Sequence, residues 1–194
     1  MKKLSERTGL TLVEMLVCTL ILALLSVGIV TCMNSATDCY TDSMFRSDSA
    51  SLEHNLNNIL GDMLRYATDV AAGTEEGYPN SAGDMVPGVS AVFTNEEYFK
   101  YAHGYFLLET ESAAETNGKL KIANLDDPEQ QIDAVNNGAY GRSLTVSDFN
   151  CEFHPAGGTQ ESSYFEISYV ILSSERPDLS RPVSCSVRVL NGLS

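Results

Sequence analysis

The sequence predicts an α+β fold in which one long N-terminal helix packs on a C-terminal antiparallel sheet. Three observations lead to this prediction. An almost wholly apolar run covers Leu16–Met33, and apolar residues then recur at helical spacing as far as Ala67. The second half of the chain instead contains short strand-like runs separated by turn-forming residues. With 194 residues, of which 43% are apolar, the chain is long enough for one folded domain and a membrane segment.

The first part of the chain combines a basic leader with a segment of membrane length. The leader, residues 1–9, has three basic side chains and one acidic side chain, and residues 15–37 carry no charge. Eighteen helical residues span about 27 Å, which is close to the thickness of a bilayer's hydrocarbon core. Because basic flanks stay in the cytoplasm, the sequence predicts a single-pass membrane protein with an extracytoplasmic C-terminal head. The charged residues of the leader are Lys2, Lys3, Glu6 and Arg7.

Two other kinds of N-terminal signal fit this segment poorly. A secretory signal needs a small-residue cleavage site, and the nearest candidate, Asn34-Ser35-Ala36, has asparagine where a small residue is required. A lipoprotein signal needs a small residue before a cysteine, but Val17 and Thr31 precede the two cysteines of the run. A retained membrane anchor is therefore favoured.

Beyond residue 40 the apolar residues form one stripe at helical spacing, which predicts a helix with one buried side. The stripe consists of Met44, Phe45, Leu52, Leu56, Ile59, Leu60, Met63, Leu64 and Ala67. The polar residues on the other faces are Asp42, Asp48, Glu53, Asn57 and Asp62. No proline occurs before Pro79. We therefore expect one helix from about Leu10 to about Thr68, and the positions where it could be interrupted are Gly28 and Gly61.

Residues 69–90 are predicted to form a connecting loop, because turn-forming residues dominate most of this stretch. The head, residues 91–194, is predicted to form an antiparallel sheet that covers the apolar stripe of the helix. Strands are expected near Ser90–Thr94, Tyr101–Glu109, Lys119–Asn124, Ser143–Phe153, Ser163–Leu172 and Val183–Leu190.

The strand-like runs show which side chains face the core. The last strand alternates, and its apolar face holds Val183, Cys185, Val187 and Val189. The fourth strand has an apolar side formed by Leu144, Val146, Phe149 and Phe153. Asn117-Gly118 and Asn137-Gly138 indicate tight turns. The aromatic residues around the second strand are interpreted as sheet core, namely Tyr98, Phe99, Tyr101, Tyr105 and Phe106.

The segment between the leader and the apolar run carries a short motif, Gly9-Leu10-Thr11-Leu12-Val13-Glu14-Met15. It resembles the class III signal of type IV prepilins and type II secretion pseudopilins. In that family a charged leader ends in Gly and is followed by Phe or another apolar residue, Thr, Leu, an apolar residue and Glu. Leu10 stands where Phe is commonest. The resemblance covers residues 2–40, and the predicted architecture is similar to the pilin fold.

The resemblance implies a division of the chain and a role for three residues. The divisions are the leader 1–9, the transmembrane or filament-core half of the helix 10–37, its amphipathic half 38–68, the connecting loop 69–90 and the β head 91–194. A prepilin peptidase would cut after Gly9, and the new α-amine of Leu10 would become N-methylated. Glu14 would pair with that amine on a neighbouring subunit during assembly. Alternatively, Glu14 bonds the N-terminus of its own helix, which is compatible with the first role.

The resemblance further implies a structural subunit of a type IV pilus or a type II secretion-like pseudopilus, at the cell surface after assembly. Its partners would be other pilin subunits, the prepilin peptidase, the platform protein and ATPase of the assembly machine, and membrane lipid before assembly. The apolar half of the helix lacks proline, and the stretch Leu56–Ala67 is similar to the helix end of J- and W-type minor pilins. Both features favour a minor subunit. The second interpretation is a single-pass anchored extracellular binding module that does not polymerise.

Composition and motifs argue against several other functions. The chain has 12 basic and 26 acidic residues, and such a surface repels phosphate backbones, so direct nucleic-acid binding is not expected. No nucleophile elbow, P-loop or dinucleotide fingerprint occurs in the sequence, so we expect neither enzymatic activity nor a cofactor.

The cysteines, histidines and acidic turns give no metal-ligand pattern in the sequence, and no metal is expected. The scattered histidines are His54, His103 and His154. The run Asp126-Asp127-Pro128-Glu129 lacks the spacing of a dedicated calcium loop and is interpreted as a solvated turn.

Two cysteines fall in strand-like segments of the head. Outside the cytoplasm a disulfide between Cys151 and Cys185 is chemically permitted, although connectivity cannot be deduced from sequence. Cys18 and Cys32 lie in the apolar run and are interpreted as small apolar residues.

Overall fold

The computed structural model describes residues 11–74, 76–95, 103–110, 117–141, 143–157 and 162–190. Within them one long helix, α1 (Leu12–Arg65), is followed by strands and a short 3-10 helix. The strands are β1 (Asp69–Ala72), β2 (Tyr78–Pro79), β3 (Met85–Val86), β4 (Ala91–Thr94), β5 (Gly104–Glu109), β6 (Asn117–Asn124), β7 (Gln131–Asp133), β8 (Leu144–His154), β9 (Tyr164–Ser173) and β10 (Ser180–Arg188), and the 3-10 helix is Asn137–Tyr140. The chain divides into two units, Met1–Met44 and Phe45–Ser194.

The first unit contains the part of α1 that is long and apolar enough to cross a membrane once. No residue of its most apolar 18-residue window is buried inside the structure. The few hydroxyls in the apolar run hydrogen-bond to carbonyls of the preceding turn, so they add no unsatisfied polar group. These bonds join Thr19 Oγ1 to Leu16 O at 2.9 Å, Ser26 Oγ to Leu22 O at 2.8 Å and Thr31 Oγ1 to Gly28 O at 2.9 Å.

Over the described residues, the prediction of one uninterrupted helix is confirmed. Neither Gly28 nor Gly61 interrupts α1. The helix ends at Arg65, three residues before the expected end at Thr68, and the expected start at Leu10 lies outside the described residues.

The second unit is built around the apolar stripe of α1, as the sequence predicts. Leu52, Leu56, Leu60 and Leu64 are fully buried and pack with inward-facing residues of the sheet. The sheet residues of this core include Leu120, Ile122, Val146, Phe165, Ile167 and Ile171. Met44 is an exception to the predicted stripe, because its side chain is 46% exposed.

The sheet is antiparallel, and its strands lie in the order β1-β4-β5-β6-β8-β9-β10, with β7 also paired to β6. All six predicted strands are present, with ends shifted by a few residues in several of them. The predicted start of the second strand, at Tyr101, lies outside the described residues. The long ladders are β8–β9 and β9–β10.

The predicted loop of residues 69–90 is wrong in part, because three short strands lie in it. β1 pairs with β4 from Asp69 opposite Thr94 to Ala72 opposite Ala91. The β2–β3 hairpin lies on the other side of the sheet, where Tyr78 and Val86 pack against a second buried cluster. That cluster comprises Val89, Val92, Tyr105, Ala123 and Leu125. Tertiary pairing and burial thus override the local preference for turns.

The prediction that the aromatic residues around the second predicted strand belong to the sheet core can be checked for two of the five residues. Tyr105 lies in this cluster and Phe106 in the main core, so both are sheet core as expected. Tyr98, Phe99 and Tyr101 lie outside the described residues.

The tight turn predicted at Asn117-Gly118 is wrong, because both residues belong to β6. Gly118 is needed there for a different reason. A Cβ added to it would lie 2.0 Å from the carbonyl oxygen of Glu109 on β5, so the two backbones approach too closely for any side chain. The second predicted turn, Asn137-Gly138, falls in the short 3-10 helix.

β8 contains a β-bulge that exchanges its two faces. The ladder with β9 shifts register between Ser147 and Asn150, where β8 has one extra residue. Asp148 lies in this bulge and has a φ of 50°, in the left-handed region. Core-facing residues are therefore even-numbered before the bulge and odd-numbered after it. They are Leu144 and Val146 before it, and Phe149, Cys151 and Phe153 after it.

Tyr140 fills a gap in the ladder of β6. This strand pairs with β8 at Asn117 and Gly118 and with β7 from Lys121 onward. Between these points the N–H of Leu120 donates to the hydroxyl oxygen of Tyr140 at 2.7 Å. Tyr140 is buried, and burial raises its pKa to about 12.

Polar contacts fix the helix against the sheet within the second unit. The carboxylate of Glu53 accepts hydrogen bonds from Arg181 at 2.6 Å, and Asn57 Oδ1 accepts the hydroxyl of Tyr169 at 3.0 Å. Asn57 therefore lies at the interface, although the sequence pattern placed it on another face. The end of α1 is capped from a distance, since the buried Asn95 side chain donates to the carbonyl of Met63 at 2.8 Å.

Candidate functional site

The start of α1 is organised by a reciprocal pair of side chains. The backbone N–H of Thr11 donates to Glu14 Oε2 at 2.9 Å, and the hydroxyl of Thr11 donates to the same oxygen at 3.1 Å. The N–H of Glu14 in turn donates to the hydroxyl oxygen of Thr11 at 3.3 Å. This is a capping box, in which two backbone N–H groups at the helix start both gain an acceptor.

Glu14 therefore adopts the second of the two roles that its position allows, because it bonds the N-terminus of its own helix. Both hydrogen bonds from Thr11 end on Oε2. Within the described residues Oε1 has no hydrogen-bond partner, and a carboxylate oxygen can accept more than one. Oε1 is exposed.

Two of the predicted site residues, Gly9 and Leu10, lie outside the described residues. The structure therefore brings together Thr11 and Glu14, and sequence analysis assigned Thr11 no separate role. A signal for it exists in the sequence, because Thr-x-x-Glu directly before an apolar run is the signature of a capping box.

An apolar groove lies on the same helix, within the first unit. Its lining includes Ile21, Leu25, Gly28, Ile29, Cys32 and Ala36. The space beside Gly28 is open, since a Cβ added there would meet no heavy atom within 4 Å. Small residues at four-residue spacing let another helix approach closely in a membrane.

Cys151 and Cys185 are free thiols, so the permitted disulfide is not formed. Both residues lie opposite Ile167, on the two sides of β9. Two strand spacings separate their Cα atoms by about 9.6 Å, whereas a disulfide needs about 4.4–6.8 Å. The intervening Ile167 side chain is fully buried in the core.

We expect the two thiols to remain unpaired in the mature protein, and Cys151 to resist alkylation until the head unfolds. Burial raises the pKa of Cys151 to about 12, and the thiolate is the reactive form. Mass spectrometry of peptides from protein alkylated in detergent, before and after adding denaturant and without reductant, measures both properties. Cys39 is exposed and serves as the control that labels in the folded state. A peptide pair joined through Cys151 and Cys185 would contradict the expectation.

The three histidines occupy separate places. His54 contacts Asn58 one turn later on α1, and His103 Nε2 lies 3.4 Å from a carboxylate oxygen of Asp69. His154 Nε2 has two carboxylates nearby, one two residues earlier on β8 and one on β9. They are Glu166 at 3.5 Å and Glu152 at 3.9 Å.

None of these places forms a recognisable metal centre. Among the described residues, no group of three or more His, Cys, Asp or Glu side chains is arranged to hold a metal ion. The acidic turn has a structural contact instead, since Asp126 accepts the N–H of Ser81 at 2.8 Å. That hydrogen bond lowers the pKa of the Asp126 carboxyl.

No family model, curated protein or solved structure matches this chain. The structure itself shows one long N-terminal apolar helix followed by an antiparallel sheet. It also shows one helix that could span a membrane.

Proposed function

We propose that this chain is a prepilin-type structural subunit of a type IV pilus or a type II secretion-like pseudopilus, and a minor one. It is processed after Gly9 and assembles through its N-terminal helix. The observation that carries the proposal is the contrast along α1. Residues Leu12–Met33 expose an apolar surface, whereas the fully buried residues from Leu52 to Leu64 lie under an antiparallel sheet.

The exposed apolar surface supports an assembly role because it must be shielded from water both in the membrane and in a filament. Lipid covers it while the subunit waits in the membrane, with the basic leader in the cytoplasm and the head outside. Helices of other subunits replace the lipid in a filament. The helix α1 extends from Leu12 to Arg65.

The lone carboxylate at the helix start supports the same role. Glu14 is the sole charged residue between Thr11 and Thr37. A charge inside a membrane-spanning segment is costly and usually indicates a partner. The resemblance of the motif supplies that partner, the α-amine created by cleavage before Leu10.

Mass spectrometry tests the processing step. The full chain is expressed in membranes with a prepilin peptidase, and the mature protein is expected to begin at Leu10. Gly9→Val is the matched variant, and it should keep its leader because the peptidase needs a residue without a side chain before the cut. An intact wild-type leader, together with absence from sheared filaments, would contradict the proposal. That result would favour the single-pass anchored binding module.

A further inference from the structure

A cavity of about 550 Å³ lies at one end of the sheet in the head. Its volume is within the range of small-molecule sites. The strand side chains that line it alternate with core residues, so they lie on the sheet face that points away from the main core. Among the described residues, none that lines the cavity belongs to α1. The lining includes Glu109 of β5, Asn117 and Lys119 of β6, Thr145 of β8, Leu172 of β9 and, in the turn before β10, Pro177.

The cavity contains a positive charge without a partner on this chain. Lys119 is half-buried and makes no ion pair within the described residues. Its cross-strand neighbour Glu109 pairs with Lys121 instead, since Lys121 Nζ lies 2.7 Å from Glu109 Oε1. Lys121 also lies 3.9 Å from Asp133, which does not line the cavity. The ammonium group of Lys119 is therefore available to an anion in the cavity.

The same cavity offers a neutral donor and a neutral acceptor. Asn117 Nδ2 donates to Thr145 Oγ1 at 3.2 Å, which leaves the proton of the Thr145 hydroxyl available as a donor. Asn117 Oδ1 accepts no hydrogen bond from the described residues. An ionised carboxylate or phosphate has no proton to give to Oδ1, whereas a hydroxyl group both donates and accepts. The site is thus matched to a ligand that carries hydroxyl groups as well as a negative charge.

We infer that this cavity binds a sugar that bears a carboxylate, either a uronic acid or a sialic acid. The Lys119 ammonium pairs with the carboxylate, and Asn117 and Thr145 exchange hydrogen bonds with hydroxyls of the ring. Leu172 and Pro177 supply an apolar surface for the C–H face of the ring. One lysine matches one carboxylate, and the net charge of −14 disfavours a long polyanion. This binding goes beyond the assembly role proposed above and does not depend on it.

Saturation-transfer difference NMR of the full chain tests the site, in a detergent without a sugar headgroup. The probes are glucuronate and N-acetylneuraminate, which represent the two sources of acidic sugar. Glucose, which lacks the carboxylate, and acetate, which lacks the ring, are the reference ligands. We expect at least one acidic sugar to bind, and to bind more tightly than glucose or acetate. Binding of only one acidic sugar would identify the source.

Three variants assign the binding to this cavity, with circular dichroism to verify that each is folded. Lys119→Gln should weaken binding of the acidic sugar by about tenfold and leave any binding of glucose unchanged, because only the charged contact is lost. Thr145→Val keeps the shape of the side chain and should weaken binding by about fivefold. Arg188→Gln is the matched control, since it removes an exposed positive charge of β10 outside the cavity, and it should bind as the wild type does.

Several outcomes would overturn this inference. They are failure of both acidic sugars to bind, equal affinity for glucose, and wild-type affinity in Lys119→Gln. An equal loss with Arg188→Gln and Lys119→Gln would indicate non-specific attraction and would overturn it as well. None of these results concerns cleavage after Gly9 or incorporation into filaments, so failure of the sugar site is distinguishable from failure of the proposed function.

Discussion

Replacing Glu14 with alanine or valine is expected to leave membrane insertion intact and to remove most of the protein from filaments. The loss should be about tenfold or more, because a factor of ten corresponds to about 1.4 kcal/mol, whereas opposite charges about 4 Å apart at an effective dielectric of about 20 attract by about 4 kcal/mol before desolvation costs. We also expect the carboxylate to set register, since a subunit displaced by one residue would leave its charge unpaired among apolar helices. The measurement is the fraction of processed protein in sheared filaments, with carbonate-resistant membrane protein as the reference.

The matched control for this substitution is Glu53→Ala on the same helix. Glu53 contacts Arg181 inside the head and should affect head stability more than filament incorporation. If Glu14→Ala entered filaments at the wild-type level, Glu14 would have no assembly role.

Leu56→Ala is expected to lower the free energy of unfolding of the head by about 2–5 kcal/mol. Leu56 is fully buried between α1 and the sheet, so its truncation leaves a cavity as well as losing transfer free energy. Urea unfolding of the full chain in detergent, followed by tyrosine fluorescence and circular dichroism, measures the change. The chain has no tryptophan to interfere with the tyrosine signal.

Leu22→Ala is the control for this second substitution. Leu22 lies on the same helix but is 62% exposed in the first unit, so the urea midpoint of the head should not change. Equal midpoints for Leu56→Ala and the wild type would show that the helix stripe does not contribute to the stability of the head.

Periodicity predicted the two surfaces that form the main core. The leucines of α1 and the valines of β10 are buried as their spacing indicates. Apolar residues recur at these positions because each position faces the core. The same logic contained a signal that was missed. Val146 and Phe149 have opposite parity and cannot share a face of a regular strand, so the bulge between them was already implied.

The rest of the fold depended on partners that are distant along the chain. Val70 in β1 has a strand neighbour only because Phe93 is brought opposite to it. Gly118 resembles a turn residue locally, but the close approach of Glu109 explains it. At the candidate site the isolation of Glu14 as a charged residue is evident from the sequence, whereas its hydrogen bonds with Thr11 required atomic positions.

The hydroxyls of Thr19, Ser26 and Thr31 each bond to a carbonyl of their own helix. These three hydroxyls therefore need no hydrogen-bond partner from the lipid or protein that surrounds the helix. Exchanging acyl chains for protein side chains around it alters dispersion contacts and leaves its internal hydrogen bonds intact. Under the assembly role proposed above, the fit of the surfaces would govern passage in either direction, and a subunit that returned to the bilayer on disassembly would be ready to be used again.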